Sequence, residues 1–392
     1  MKVLSAHNAY LLRGGEDAVA ESEVALLRAH GHEVVQYFRS NEELASMSRL
    51  QGAADTLWSR RTHAEVAALI ARTQPDIVHV HNTLPLISPS LYWAAAAAGV
   101  PVVQTLHNFR LMCPQAMLLR EGKVCETCVG HTPWAAVRHA CYRGSRAQTA
   151  VLGGMLMLHR ALGSYANKVT LYVALNEFCR AKFVQGGVPV NKLVVKPNFV
   201  EDPGPPAAES ARAGLLFVGR LSPEKGVQAL ADAARTLAPG VLRVVGSGPA
   251  ADVLQGISGV TALGALPAPT VAQEMARACA LVLPSIWYEN FPRTLVEAYA
   301  AGLPVIASRT GALAELVQDG VTGLLVNPGD AADLAVKLQW ALGNPQLMAA
   351  MGCAARRVYE TSYTPAVNYA QLLAIYEQAL AAVMANATNP TP

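Results

Sequence analysis

Glu289 and Glu297 close the segment Glu-Asn-Phe-Pro-Arg-Thr-Leu-Val-Glu, which follows the apolar run Cys279–Pro284 and precedes a helical pattern ending near Gly302. Pro292 suits the first turn of that helix, where its missing N–H leaves no partner unsatisfied. Glu289 then falls in the loop and Glu297 well inside the helix, so the two carboxylates face one site from different depths. A carboxylate accepts both hydroxyls of a vicinal diol, which lets Glu297 clasp a ribose. The free amides at the helix start attract a phosphate. Alone, such a glutamate pair is more often an ordinary surface pair, so its company along the chain decides.

That company is chemically consistent. Gly219-Arg220-Leu-Ser-Pro-Glu-Lys225-Gly226 follows directly on a strand-like run, and cations at a strand end are placed to neutralise a diphosphate. Gly246-Ser-Gly248-Pro249 follows Leu242–Val245 and predicts a glycine turn that a ligand can approach closely. With Ala251 it matches the G-x-G-x-x-A dinucleotide fingerprint, but Pro249 removes an amide and no acid suited to that ribose follows about 20 residues later. The dinucleotide reading is rejected on those grounds. Arg13-Gly14-Gly15, after the first strand, is a phosphate-compatible loop in the other half of the chain.

Taken in order, G-R-x-x-x-x-K-G, G-S-G-P, G-A-L-P, E-N-F-P-R-T-L-V-E and A-G-L-P-V-I-A-S resemble glycosyltransferase family 4, most densely from Gly214 to Pro328. The resemblance implies a GT-B fold, two Rossmann-like doubly wound α/β domains facing a central cleft, and retaining transfer of sugar from a nucleotide-sugar donor. It puts Arg220 and Lys225 on the diphosphate, Glu297 on the ribose and Glu289 on hydroxyls of the transferred sugar. The backbone near Gly248 and Leu266 would flank the base, with Gly14 and Gly15 contributing from the first domain. His107, in Gln-Thr-Leu-His-Asn, stands where family members place a histidine against the donor sugar. Many relatives carry glycine where this chain has Pro292, so phosphate contacts shift to the segment from Asn290 through the amides of Phe291, Arg293 and Thr294. The acceptor expected is a glycan or a lipid-linked glycan of the cell surface. A nucleotide-sugar epimerase on the same fold and an inactive nucleotide-sugar-binding protein are the rival readings. No D-x-D occurs, so no catalytic metal is expected.

Cys113, Cys125, Cys128 and Cys141 form a second constellation, a C-x2-C pair flanked 12 residues before and 13 after. Four thiolates with a close central pair suit a structural zinc stapling the loop 107–145. An iron–sulfur cluster is the minor metal alternative, and four unrelated or redox-active thiols the bland one. The same region is basic: residues 101–170 hold eight Lys or Arg against two acids. It runs into Ala150–Leu162, where Met155, Met157 and Leu158 stand beside His159 and Arg160. Such a helix either rests peripherally on anionic lipid or is a solvated face with a buried stripe. His79 reads as packing and capping, and His81 with Asn82 as lining for the acceptor.

These residues need a scaffold of some size. The chain has 392 residues, 52% apolar and 15% charged, which excludes bulk disorder and points to two domains. A net charge of +3 is too small to indicate nucleic-acid binding. No apolar stretch reaches the ~18–20 residues of a membrane span, and Met-Lys-Val-Leu-Ser reads as a strand, not as a signal peptide. Seven cysteines without an export signal argue against a disulfide framework. The expectation is a cytoplasmic chain. Strand candidates are Lys2–Ser5, Glu33–Phe38, Asp76–Val80, Val100–Leu106, Val169–Leu175 and Lys192–Lys196, with helical patterns between them. Alternation restarts at Leu215–Val218 and runs through Leu242–Val245, Val260–Leu263, Leu281–Leu283, Pro304–Ala307 and Gly323–Val326. Continuous apolar strands with helical crossovers imply parallel sheets covered on both faces. The expected division is a domain over 1–197, a proline-rich linker over 198–213, a domain over 214–363 and a final helix over 364–392 returning to the first domain. Ligands of such sheets bind at the carboxyl ends of the strands.

Overall fold

In the computed structural model, which describes residues 1–11, 13–208 and 212–388, the apolar runs form two six-stranded sheets, each wholly parallel. The chain divides into two compact units, one of 1–118, 126–197 and 368–392, the other of 119–125 and 198–367.

The first unit contains strands β1 (Lys2–Ala9), β2 (Glu33–Ser40), β3 (Ile77–Asn82) and β4 (Val102–Thr105). Next along the chain comes a short hairpin that belongs to the second unit, β5 (Leu119–Arg120) with β6 (Lys123–Val124), and the first unit resumes with β7 (Leu171–Ala174) and β8 (Leu193–Val195). The six-stranded sheet runs β2-β1-β3-β4-β7-β8. Every residue of β3, β4 and β7 is buried, as helices on both faces require. One covering helix is Gly15–Ala29, stopped by Gly31 at φ 80°. Another is the last helix, Pro365–Thr388, whose Leu372, Ile375, Tyr376 and Ala379 share a core with Val3, Val24, Ile77 and Val103. Each large apolar side chain buried there contributes about 1.5–3 kcal/mol. Residues 389–392 of the expected final helix lie outside the described residues.

The second unit holds β9 (Leu215–Val218), β10 (Leu242–Val245), β11 (Val260–Gly264), β12 (Ala280–Leu283), β13 (Val305–Ser308) and β14 (Gly323–Val326), ordered β11-β10-β9-β12-β13-β14. Strand order reverses direction between β9 and β12, and the carboxyl ends at such a reversal are where sheets of this kind bind their ligands. In the first unit the same reversal falls between β1 and β3.

The proline-rich segment expected as a linker is anchored along its first residues: Phe199 and Val200 are buried and Arg356 holds Asp202 at 2.6 and 2.8 Å. The Tyr359 hydroxyl also donates to the Val200 carbonyl, at 3.1 Å. Apolar anchors and a bidentate arginine therefore dock 198–208 into the second unit, while Glu209–Ala211 lie outside the described residues. The cysteine-bearing loop is also more regular than expected. It contains the β5–β6 hairpin, turned by Glu121 and Gly122 at φ 52° and 72°, and a short Trp134–Arg138 helix.

Candidate active site

In the second unit a polar constellation forms where the loops leaving β9 and β12 meet. Gly226 sits at φ 73°, and a Cβ there would lie 1.9 Å from the Pro284 carbonyl oxygen, so only glycine lets the β9 loop reach the end of β12. That approach carries Lys225 to Glu289, with Nζ 2.7 Å from Oε1, and the Ser285 hydroxyl donates to the same oxygen at 2.7 Å. Burial pushes the Glu289 carboxyl up, but the Lys225 ammonium and these bonds outweigh it and hold it below the usual carboxylate range. Arg220 contacts Glu224, which also accepts from the Ser222 hydroxyl at 2.7 Å. The Arg220 side chain keeps 60% of its surface in solvent and Lys225 25%, so both cations are paired yet reachable.

The glycine turn after β10 has a different cause from the one expected. Gly248 stands at φ 156°, and a Cβ there would lie 2.3 Å from the Leu221 carbonyl oxygen. Leu221 N–H donates to Ser247 O at 2.9 Å, and Ala250 N–H to Leu221 O at 2.8 Å. The turn thus makes room for the neighbouring backbone loop that carries Arg220. Gly246 N–H donates to Gly264 O at 2.8 Å, tying in the exit of β11, two residues before the half-buried Leu266.

Pro292 caps the Arg293–Ala300 helix from just outside it. Asn290 and Phe291 are buried before it, and the Phe291 ring meets Tyr363 edge-on at 5.8 Å. Thr294 is half-buried in the first turn. Glu297 is not isolated, since Arg293 Nε reaches its Oε1 at 2.9 Å. The i,i+4 spacing carried that signal.

In the first unit, neighbouring strand ends bring histidines together. His107, half-buried after β4, places Nε2 3.0 Å from Nδ1 of His81 at the end of β3. His7, near the end of β1, meets Asp17 at 2.8 Å. His79 bonds the hydroxyls of Tyr376 at 2.7 Å and Thr105 at 2.9 Å, a packing role. His81 and Asn82 are buried, with Asn82 donating to Asn8 O at 2.7 Å, so they hold the strand ends in register. Behind them Glu23 takes the fully buried Lys196 ammonium at 2.5 Å. Burial pushes the Glu23 carboxyl up, and the Lys196 ammonium more than reverses it. Burial also pushes the His107 imidazole down to about 3 and that of His79 to about 4. Glu23, His79 and His81 bring ligand atoms within 4.8 Å of one another, but the Lys196 ammonium already supplies the cation there. Sequence reasoning missed Glu23 and Lys196, which stand 173 residues apart.

The Arg13-Gly14-Gly15 loop is largely committed to its own helix. Gly14 N–H donates to Asp17 Oδ2 at 2.7 Å and Arg13 pairs with Glu21. Next to it Glu16 accepts from Tyr10 at 3.0 Å and Asn108 at 3.3 Å. Burial raises its carboxyl to about 7. Between pH 4.5 and 7 the folded chain therefore keeps a proton that the unfolded chain has released, and this group makes stability fall as pH rises through that window. Glu16→Gln should flatten that part of a urea-denaturation profile, and an unchanged slope would count against the assignment.

Cys113 and Cys128 are buried, and Cys125 and Cys141 half-buried. Around them, the Arg146–Ala161 helix differs from the expected cationic face. His159 is buried against Ser164 and the Leu57 carbonyl, and Arg160 is spent on the carbonyls of His131 and Leu111, each at 2.9 Å. The outward stripe is instead Arg146, Ala147, Gln148, Ala150, Gly154, Met157, Leu158 and Ala161, continued by Leu162. Among the described residues no helix is long and apolar enough to cross a membrane.

Comparison with known proteins follows the same division of the chain. Residues 14–199 match the family model of the glycosyl transferase 4-like domain, and residues 212–344 that of glycosyl transferases group 1. A phosphatidyl-myo-inositol mannosyltransferase of Mycobacterium leprae is 29% identical over 351 residues, 85% of this chain and 79% of that protein. The sulfoquinovosyl transferase of Arabidopsis thaliana is 32% identical over 152 residues, 37% of this chain but only 30% of its own length. Among solved structures, sucrose-phosphate synthase from Thermosynechococcus elongatus superposes with a TM-score of 0.72 at 19% identity, covering 97% of this chain and 99% of that one. Anabaena HepE, solved with UDP-glucose, gives 0.66 at 19% identity over 95% of this chain and 98% of that one.

Proposed function

The chain belongs to the group 1 glycosyl transferases of the family 4 type, with the GT-B fold, and from that membership we propose that it is a retaining enzyme. It moves a sugar from a nucleotide-diphosphate-sugar to a glycan or lipid-linked acceptor. The observation that carries this reading is the Lys225–Glu289 pair beside the solvent-facing Arg220, held at the carboxyl ends of β9 and β12. Fixed cations there offset the negative charge growing on a departing diphosphate, where preorganised charge has most effect on rate. The amides of Arg293 and Thr294 at the helix start add to that field. Glu289 keeps its second oxygen for a hydroxyl of the transferred sugar, Glu297 takes the ribose diol, and the backbone at Gly248 and Leu266 flanks the base. His107 is assigned to the donor sugar on the family resemblance alone.

These positions include no carboxylate assigned to the anomeric carbon, so attack comes from the leaving-group face. The acceptor oxygen bonds to the anomeric carbon as the bond to phosphate breaks, and the departing phosphate oxygen takes the acceptor's proton. A thermal-shift screen of nucleotide sugars, UDP-glucose and GDP-mannose first, identifies the donor. Transfer then requires an acceptor, which an epimerase does not, and product NMR of the anomeric proton should show a retained configuration with or without EDTA. An inverted linkage, or activity dependent on added magnesium or manganese, would refute this mechanism.

The four-cysteine loop is assigned a structural zinc on its chemistry, and elemental analysis should find about one metal per chain, lost in Cys125→Ala. Finding neither zinc nor iron in protein purified without chelators overturns that assignment. Peripheral contact with anionic lipid is assigned to the outward stripe around Met157 and Leu158, supported by the absence of any acid from 127 to 176. Met157→Glu with Leu158→Glu should abolish co-sedimentation with phosphatidylglycerol vesicles, and unaltered sedimentation contradicts it.

A further inference from the structure

The histidines at the ends of β3 and β4 form a chain whose hydrogens are set by one buried carboxylate. Between His81 Nδ1 and His107 Nε2, 3.0 Å apart, one nitrogen donates and the other accepts. Burial holds both rings in their neutral form, so each carries a single N–H. The other nitrogen of His81, Nε2, faces Glu23 Oε2 at 3.5 Å. That oxygen has no hydrogen-bond partner among the described residues, while its twin Oε1 binds the Lys196 ammonium at 2.5 Å. A nitrogen lone pair turned toward an ionised oxygen would be repelled by it, whereas an N–H is attracted. The hydrogen of His81 accordingly sits on Nε2, its Nδ1 accepts, and His107 Nε2 donates. His107 Nδ1 is left as a lone pair.

One neighbour faces the same oxygen: His79 Nδ1 stands 3.7 Å from Glu23 Oε2, but it is already hydrogen-bonded to the Tyr376 hydroxyl at 2.7 Å. His79 stacks on His81 at 4.5 Å between centroids, and its nitrogens are engaged by Tyr376 and Thr105. The His7 ring stands edge-on to His81 at 6.2 Å and is bonded to Asp17.

We propose that Glu23, acting through His81, fixes His107 as an Nδ1 hydrogen-bond acceptor and so selects a hydroxyl donor on the ligand that His107 meets. Glu23 and His81 are then positioning residues. The selection of a hydroxyl rests on the proposed placement of His107 at the donor sugar. A neutral acceptor adds no positive charge opposite a developing cation and donates no proton to the leaving group. The rate accordingly shows no His107 inflection between pH 5 and 8.

The test separates the two layers. In the ligand-free full chain labelled with 15N-histidine, NMR should show His107 protonated at Nε2 and bare at Nδ1, with His107→Gln giving the assignment. In Glu23→Gln/Lys196→Met, which removes both buried charges together, the His107 hydrogen should redistribute toward Nδ1. A wild-type His107 protonated at Nδ1, or a tautomer unmoved in the double variant, overturns the relay. His81→Phe should lower kcat by about 10- to 100-fold with a smaller change in donor KM, as loss of the correct tautomer does elsewhere. An Nε2-protonated His107 combined with undiminished turnover in His81→Phe leaves the relay supported but overturns the placement of His107 at the sugar.

Discussion

Lys225→Ala is expected to lower turnover by about 10²-fold or more, roughly 2.7 kcal/mol of lost transition-state stabilisation. The size follows from where the ammonium stands, 2.7 Å from a buried carboxylate and still open to solvent over 25% of its side chain. A second effect follows from the same geometry. Without Lys225, burial dominates at Glu289 and its carboxyl moves above the usual range, the reverse of its present position. In the wild type this group contributes stability that is present above its unfolded pKa and lost as pH falls through its depressed folded value. In the variant the sign reverses, and its contribution is lost as pH rises. Steady-state kinetics with the identified donor and denaturation at two pH values check both effects. Unchanged turnover would remove Lys225 from the diphosphate, whereas an unchanged pH trend would remove only its coupling to Glu289.

Lys196→Met should destabilise the first unit by about 3–5 kcal/mol, because it strands the Glu23 charge in a site that excludes water. Lys196 has no solvent exposure, and its ammonium also meets Asn368 Oδ1 at 3.1 Å, on the helix that closes the unit. Pairing the change with Glu23→Gln should recover most of the loss, since a neutral amide tolerates burial far better than a bare carboxylate. Chemical denaturation of the single and double variants gives the comparison. A single variant as stable as the wild type would show that the ion pair contributes no net stability.

Local patterns along the chain reached far in this protein. Leu215–Val218, Leu242–Val245 and Gly323–Val326 form strands with the bounds that their runs suggest, because a strand covered on both faces is mostly apolar, Arg243 being the charged exception. Gly31, Gly226 and Gly248 all occupy conformations that other residues rarely adopt. For the proline-rich segment, proline density reports a lack of regular structure and says nothing of docking. What anchors 198–208 is Asp202 on Arg356, a pairing across 154 residues.

The sequence by itself determined the class of the sheets, the order of the motifs and the residue types at the strand ends, since each depends on interactions within a few residues. Tertiary structure alone decided which of those residues meet. Lys225 finds Glu289 across 64 positions because β9 and β12 are neighbours in the sheet. Glu23 finds Lys196 across 173 positions because a helix of the first crossover packs on a sheet whose last strand ends at Val195. Burial then assigns each group its charge state, as desolvation depends on how many atoms crowd a site and not on what precedes it in the chain.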